Sequence, residues 1–321
     1  MCIRDRGADL AREALSFADE TGDDRLAMHA LNTVGMARVY RGDEAGVADI
    51  ETAVERGRNA GAVFELGTAL NNLGNTLATV GRLDESETRL EEARELSERY
   101  GITAGIAWNE GERVYQRDRR GDLEGTIAAA NRFLAQPYAS ENYQLRPVLT
   151  CRARVFLARG QIAEAVADVD EVLAGDPASS TDAQTGAWLL TVCARCLRAA
   201  GRTEEAEKLL QRALEAAYDA LVYDLALELV ELGRSAAFLA RPDDQGGHRW
   251  DQANRAAASG ELIRASEIYA SIGARFPEAW AALLAAERGD TSRLEPALAY
   301  FEEQRATPYA QRCRALMQAS A

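Results

Sequence analysis

Glycines recur along this chain with a period that few folds can use. Gly42, Gly81, Gly121, Gly160 and Gly201 follow one another at about 40 residues each, and self-similarity of that length points to a helical repeat array. The residues around each glycine repeat too. Seven positions before it stand Gly35, Gly74, Ala153 and Ala194, with Val114 the exception; five after it stand Ser86, Thr126, Ala165 and Ala206. Nine after it come Leu90, Ala130, Val169 and Leu210, and twelve after it Ala93, Phe133, Val172 and Ala213. Small residues let two helices approach closely, and larger apolar ones fill the space between them. The Gly42 copy drifts by one position and uses Val47, Ile50 and Val54.

Residues 69–101 show one copy most plainly. Leu70, Leu73, Leu77 and Val80 form an apolar stripe at helical spacing, Gly81-Arg82 breaks it, and Leu83, Leu90, Ala93 and Leu96 resume it with acids and arginines opposite. A hairpin this thin must bury its apolar face on the next copy. Beyond residue 239 the regularity lapses, and 241–247, with Pro242 and the pair Gly246-Gly247 flanking acids, reads as a boundary. Gly260 and Gly289 then restart shorter units, carrying Ala265, Tyr269 and Ile272 and then Leu294, Leu298 and Phe301. Gln136-Pro137-Tyr138 and Gly175-Asp176-Pro177 read as loops, each before a first helix, and Thr21-Gly22-Asp23-Asp24 as a connector. The expected organisation is a leader over 1–7, since MCIRDR lacks the apolar period, a repeat array over 8–240, and short helical repeats capping it over 241–321. The abrupt start reads as that of a truncated chain.

Composition narrows the function. The chain is 47% apolar and carries a net charge of −14, so it reads as a folded protein that repels nucleic-acid phosphates and anionic lipid. No run approaches the roughly 20 apolar residues of a spanning helix. Five cysteines without framework spacing read as reduced thiols in a cytoplasm. Lys208, the only lysine, is followed by Leu209, so no P-loop is present. Cys193 and Cys196 lie mid-helix with no second pair, and His29 and His248 stand alone, so a core pair and two isolated imidazoles are expected, with no metal, cofactor or catalytic residue.

Leu73-Gly74, Val34-Gly35, Ala165 and Ala206 resemble the helix-contact positions of the tetratricopeptide repeat. The period exceeds that repeat's usual length, and its proline is missing at most repeat ends. The tail, with Gly273, Phe276, Pro277 and Ala279, the turn Gly289-Asp290 and the helix around Arg312 and Arg314, resembles the end of the repeat region in bacterial AAA/STAND-type ATPase regulators, LuxR-type or cyclase-linked. The resemblance implies an all-α, right-handed solenoid of about seven hairpins whose first helices line a concave groove. It implies that Asn32, Met36, Asn71, Asn75, Trp108, Tyr115, Asp118, Arg154, Leu157, Trp188, Arg195 and Arg198 face that groove. Asparagine can both donate to and accept from an extended backbone, and Trp and Arg are typical binding hot spots; Trp108 and Trp188 equally suit packing between repeats. The expected function is a non-enzymatic scaffold binding a protein, peptide or effector, as the sensor arm of a multidomain regulator or as a free-standing adaptor.

Overall fold

The computed structural model describes residues 3–174, 186–216, 223–241 and 247–319. The loop expected at 175–177 and residues 242–246 of the expected boundary lie outside them. Among the described residues the chain is all-α, as the glycine period requires, with one 3-10 turn at Ala139–Glu141. The chain divides into two compact units, Met1–Glu112 with Asp243–His248, and Arg113–Pro242 with Arg249–Ala321.

The first unit holds α1 (Ile3–Thr21), α2 (Asp24–Val39), α3 (Gly46–Ala60), α4 (Val63–Thr79), α5 (Leu83–Tyr100) and the start of α6 (Thr103–Arg120). Helices α2 and α3 form one antiparallel hairpin and α4 and α5 the next, with α3 against α4 and α2 against α4. Gly81 shows why a glycine recurs at the turn. Its φ is +86°, its N–H bonds the Ala78 carbonyl at 3.1 Å, and the Arg82 N–H reaches back to the Leu77 carbonyl at 2.9 Å, a left-handed helix end that suits a residue without Cβ. The small residue seven positions earlier serves a different purpose. A Cβ on Gly74 would stand 2.4 Å from Leu90 Cγ, and one on Gly35 2.6 Å from Ile50. The stripe Leu70, Leu73, Leu77, Val80 is buried, as are Leu90 and Ala93.

The second unit continues the pattern with α7 (Leu123–Leu134), α8 (Leu145–Arg159), α9 (Ile162–Leu173), α10 (Gly186–Ala199), α11 (Thr203–Glu215), α12 (Tyr223–Glu231), α13 (Ser235–Leu239), α14 (Arg249–Ala258), α15 (Leu262–Ile272), α16 (Arg275–Ala286), α17 (Leu294–Glu303) and α18 (Thr307–Ala319). The α8–α9 and α10–α11 hairpins stack through α8 against α10, and α10 stacks in turn on α12. Ala165, Ala206, Val169, Leu210, Val172 and Ala213 all lie at their seams, fully buried.

One hairpin goes beyond the expected count. Gly233, at φ +68°, turns α12 into the five-residue α13. The sequence hides it because the position five after this glycine is Phe238 rather than a small residue, and the second helix ends before the ninth.

The last three helices do not simply prolong the stack. Helix α16 follows α15 but also packs on α12, and α18 packs on α8 and α16. The composition of α16 explains this. Phe276, Pro277, Ala279, Trp280 and the run Ala281 to Ala286 are all buried, and a helix apolar all round needs neighbours on every side.

Candidate functional site

In the first unit a cleft of about 280 Å³ opens between α4, the end of α5 and the start of α6. Phe64, Thr68, Asn71 and Asn72 come from α4, one turn apart along the same side, and Ile102, Ala104, Gly105 and Trp108 line the facing wall. Gly105 lets α6 approach Ser97, whose Oγ would lie 2.4 Å from a Cβ there. Phe64 at the rim is 61% exposed. The Asn71 Oδ1 is buried and has no hydrogen-bond partner among the described residues. A buried acceptor left open in this way costs roughly 1–3 kcal/mol, and a donor entering the cleft would remove that cost. The cleft therefore brings together two of the groove residues expected from sequence, Asn71 and Trp108. Asn32 on α2 also has a buried Oδ1 without a partner among the described residues, but Asn32 and Asn75 do not line this cleft.

In the second unit most of the expected groove residues lie inside the protein, while Leu157 and Arg198 are half-buried. Tyr115 and Trp188 are buried with ring centroids 5.8 Å apart. Arg154 on α8 is 1% exposed. Its Nε donates to Asp118 Oδ1 of α6 at 3.0 Å, its Nη2 to the Asp118 carbonyl at 2.9 Å, and its Nη1 to the Tyr223 hydroxyl. Arg195 on α10 donates to Asp224 Oδ1 at 2.8 Å and to the Tyr309 hydroxyl at 2.6 Å, and pairs with Glu228 at 3.2 Å. Arg198 pairs with the other Glu228 oxygen. Three arginines and three carboxylates thus form one network across α6, α8, α10 and α12. Buried charges persist when they are paired, as most of these are.

The network is covered by the chain's own C-terminal helices. The Trp280 ring lies 4.0 Å from the Arg195 guanidinium and the Phe276 ring 5.3 Å from that of Arg154. Trp280 Nε1 donates to Glu231 at 3.0 Å. At the α6–α7 turn the Tyr300 hydroxyl donates to the Gly121 carbonyl at 2.6 Å, and Gln304 Oε1 accepts from the Leu123 N–H at 2.9 Å. Gly121 has φ +75°, and a Cβ on it would stand 2.6 Å from both the Phe276 nitrogen and the Tyr300 oxygen. Much of the first-helix face that the sequence offered to a ligand is here covered by α16 to α18. Trp280, Tyr309, Asp224 and Glu228 were not singled out from sequence. The signal for the two acids was an acid-bearing face on the otherwise apolar α12.

The remaining chemistry is quiet. Cys151, Cys193, Cys196 and Cys313 are unpaired and buried. Burial pushes the Cys196 thiol up to about 12 and Cys193 well above its usual range, so neither is a ready nucleophile. Among the described residues no group of His, Cys, Asp and Glu could hold a metal. His29 is exposed on α2. His248 is buried in the first unit, its Nε2–H donating to the Val39 carbonyl at 2.8 Å. No described helix is long and apolar enough to cross a membrane.

Comparison with known proteins agrees with this architecture. Residues 145–219 and 66–100 each match a tetratricopeptide-repeat family profile. No curated protein matches the sequence significantly. Among solved structures, BtubC (BKLC) from P. vanneervenii superimposes with a TM-score of 0.51 at 15% identity, over 67% of this chain and 91% of that one. The tetratricopeptide-repeat domain of P58(IPK), 12% identical over 98% of this chain and 99% of that one, and a circular tandem repeat protein, 15% identical over 97% and 87%, align with TM-scores of only 0.25. At 15% identity the likeness to BtubC speaks to the fold alone. This chain is an all-α protein that contains tetratricopeptide repeats, modules that serve as scaffolds for protein interactions.

Proposed function

We propose that this protein is a non-catalytic scaffold that captures an extended peptide segment of a partner in the cleft between α4 and α6. The observation that carries the reading is the Asn71 acceptor, buried without a partner at the floor of an open cleft whose rim displays Phe64. A peptide N–H would satisfy that acceptor while an apolar side chain settles against Phe64, Ile102 and Trp108. Helices α16 to α18 cover most of the corresponding face of the second unit, whereas the first unit keeps this cleft open. No cofactor is needed for this role, and the strongly acidic chain makes nucleic acid a poor ligand.

The test is selection of random peptides on the intact protein. Enriched peptides should bind at least tenfold more weakly to Asn71→Ala and to Trp108→Ala, and equally to a variant at the exposed Arg264. Failure of any peptide to enrich, or equal binding by Asn71→Ala, would remove the reading. We place the scaffold in the cytoplasm as the sensor arm of a bacterial signalling ATPase or transcriptional regulator, on the resemblance of its tail. Reading the coding DNA upstream in frame tests this. A Walker-type lysine motif supports the regulator, and an in-frame stop with a ribosome site supports a free-standing adaptor.

A further inference from the structure

A second cleft, of about 340 Å³, lies within the second unit where α10 and α12 meet α18. One wall is apolar, built from Leu157, Ile162, Leu232 and Pro308; the other carries Arg195, Arg198, Arg312, Glu228 and Glu231. The charged groups are unequally satisfied. Arg195 spends its donors on Asp224, Tyr309 and Glu228. Arg312 spends its own on Glu231 at 2.7 Å and on both Glu287 oxygens at 2.9 and 3.0 Å. Glu231 also accepts from Trp280. Arg198 pairs with one oxygen of Glu228, whose second oxygen faces Arg195, and its Nη2 is buried with no hydrogen-bond partner among the described residues.

We propose that this cleft binds a small monocarboxylate with an apolar body, its carboxylate on Arg198 Nη2 and its hydrocarbon part against Leu157, Ile162 and Leu232. One open donor beside carboxylates already in place suits a single negative charge and not a dianionic phosphate. The volume suits a small molecule, and the half-exposed aliphatic wall supplies the hydrophobic part of the affinity. Burial, together with the neighbouring Arg195 and Arg234, also holds Arg198 below the ordinary arginine range despite Glu207 and Glu231, whereas Arg154 and Arg195 are raised. Because Pro308, Tyr309 and Arg312 belong to α18, an occupant would touch both that helix and the repeats beneath it. This site is separate from the α4–α6 cleft and stands whether or not a peptide binds there.

Calorimetric titration of the full chain with 4-methylpentanoate and benzoate tests the proposal, with 4-methylpentanamide, benzamide and inorganic phosphate as parallel arms. At least one carboxylate should bind and raise the melting temperature while its amide does neither. Arg198→Met, checked for native helicity, should weaken that binding at least tenfold. Should Arg198→Met fold poorly, Leu232→Glu, which places a fixed carboxylate on the exposed wall, should abolish it instead. The proposal is overturned if neither carboxylate binds, if the amides bind as well, if phosphate binds more tightly, or if the folded variants bind like the wild type.

Discussion

Single atoms decide much of how this chain packs. Gly74 faces Leu90 so closely that a methyl group must displace a branched side chain from a filled seam. Overpacking of this kind costs about 1–3 kcal/mol, so Gly74→Ala should lower the urea midpoint by a corresponding amount without changing helicity. Arg305 is the opposite case. It holds φ +57° between α17 and α18, the only non-glycine residue with positive φ among those described, and its side chain is largely exposed. A side chain in that region costs about 1–2 kcal/mol, partly offset by glycine's greater freedom when unfolded, so Arg305→Gly should raise thermal stability by up to about 1 kcal/mol. Asp118 carries a pH signature. Burial outweighs the neighbouring Arg154 and raises its carboxyl from 3.8 to about 6. A group whose folded pKa lies above its unfolded one stabilises the fold fully at low pH and loses that effect as pH climbs through the folded value. This contribution therefore declines between about pH 4 and pH 6. Thermal melts across that range should show the decline in the wild type and its loss in Asp118→Asn; identical profiles would show that Asp118 does not titrate there.

Helices were legible in the sequence wherever contacts follow a fixed offset along the chain. The pairing of Gly74 with Leu90 is written in the positions seven before and nine after the turn glycine, and the offsets five and nine after it placed Ala165, Val169, Ala206 and Leu210 at seams. The α12–α13 hairpin escaped because Phe238 and the early end of α13 erase both offsets after Gly233. The fate of the second unit's groove residues was hidden for another reason. Met36, Asn75, Tyr115, Arg154 and Arg195 occupy one register, six before their turns, but the acids that enclose the two arginines sit on neighbouring first helices and the aromatics on α16 and α18, more than 75 residues away. No local spacing reports such partners. The all-round apolar character of α16 was the available sign that something would lie on both of its faces. Gly121 ties these elements together. Gly121→Ala should push α16 and α17 from the α6–α7 turn, and the expected readout is faster proteolysis within 275–319 while the first unit's fragments remain intact.

At the scale of the molecule, the chain is an acidic array of stacked hairpins. Its net charge of −14 should keep it from retarding duplex DNA at 0.1 M salt, a result that mobility shift would check directly. The two units differ in what they leave open. The first keeps Asn71 and Trp108 beside an accessible cleft, and the second folds its own last helices over the equivalent arginines. Hydroxyl-radical footprinting of the intact protein, read residue by residue by mass spectrometry, measures that difference most directly. Phe64 should oxidise rapidly, while Trp280, Tyr309 and Tyr223 stay protected until the protein unfolds. Oxidation of Trp280 and Tyr309 at rates matching Phe64 would mean that α16 to α18 do not cover the inner face of the second unit.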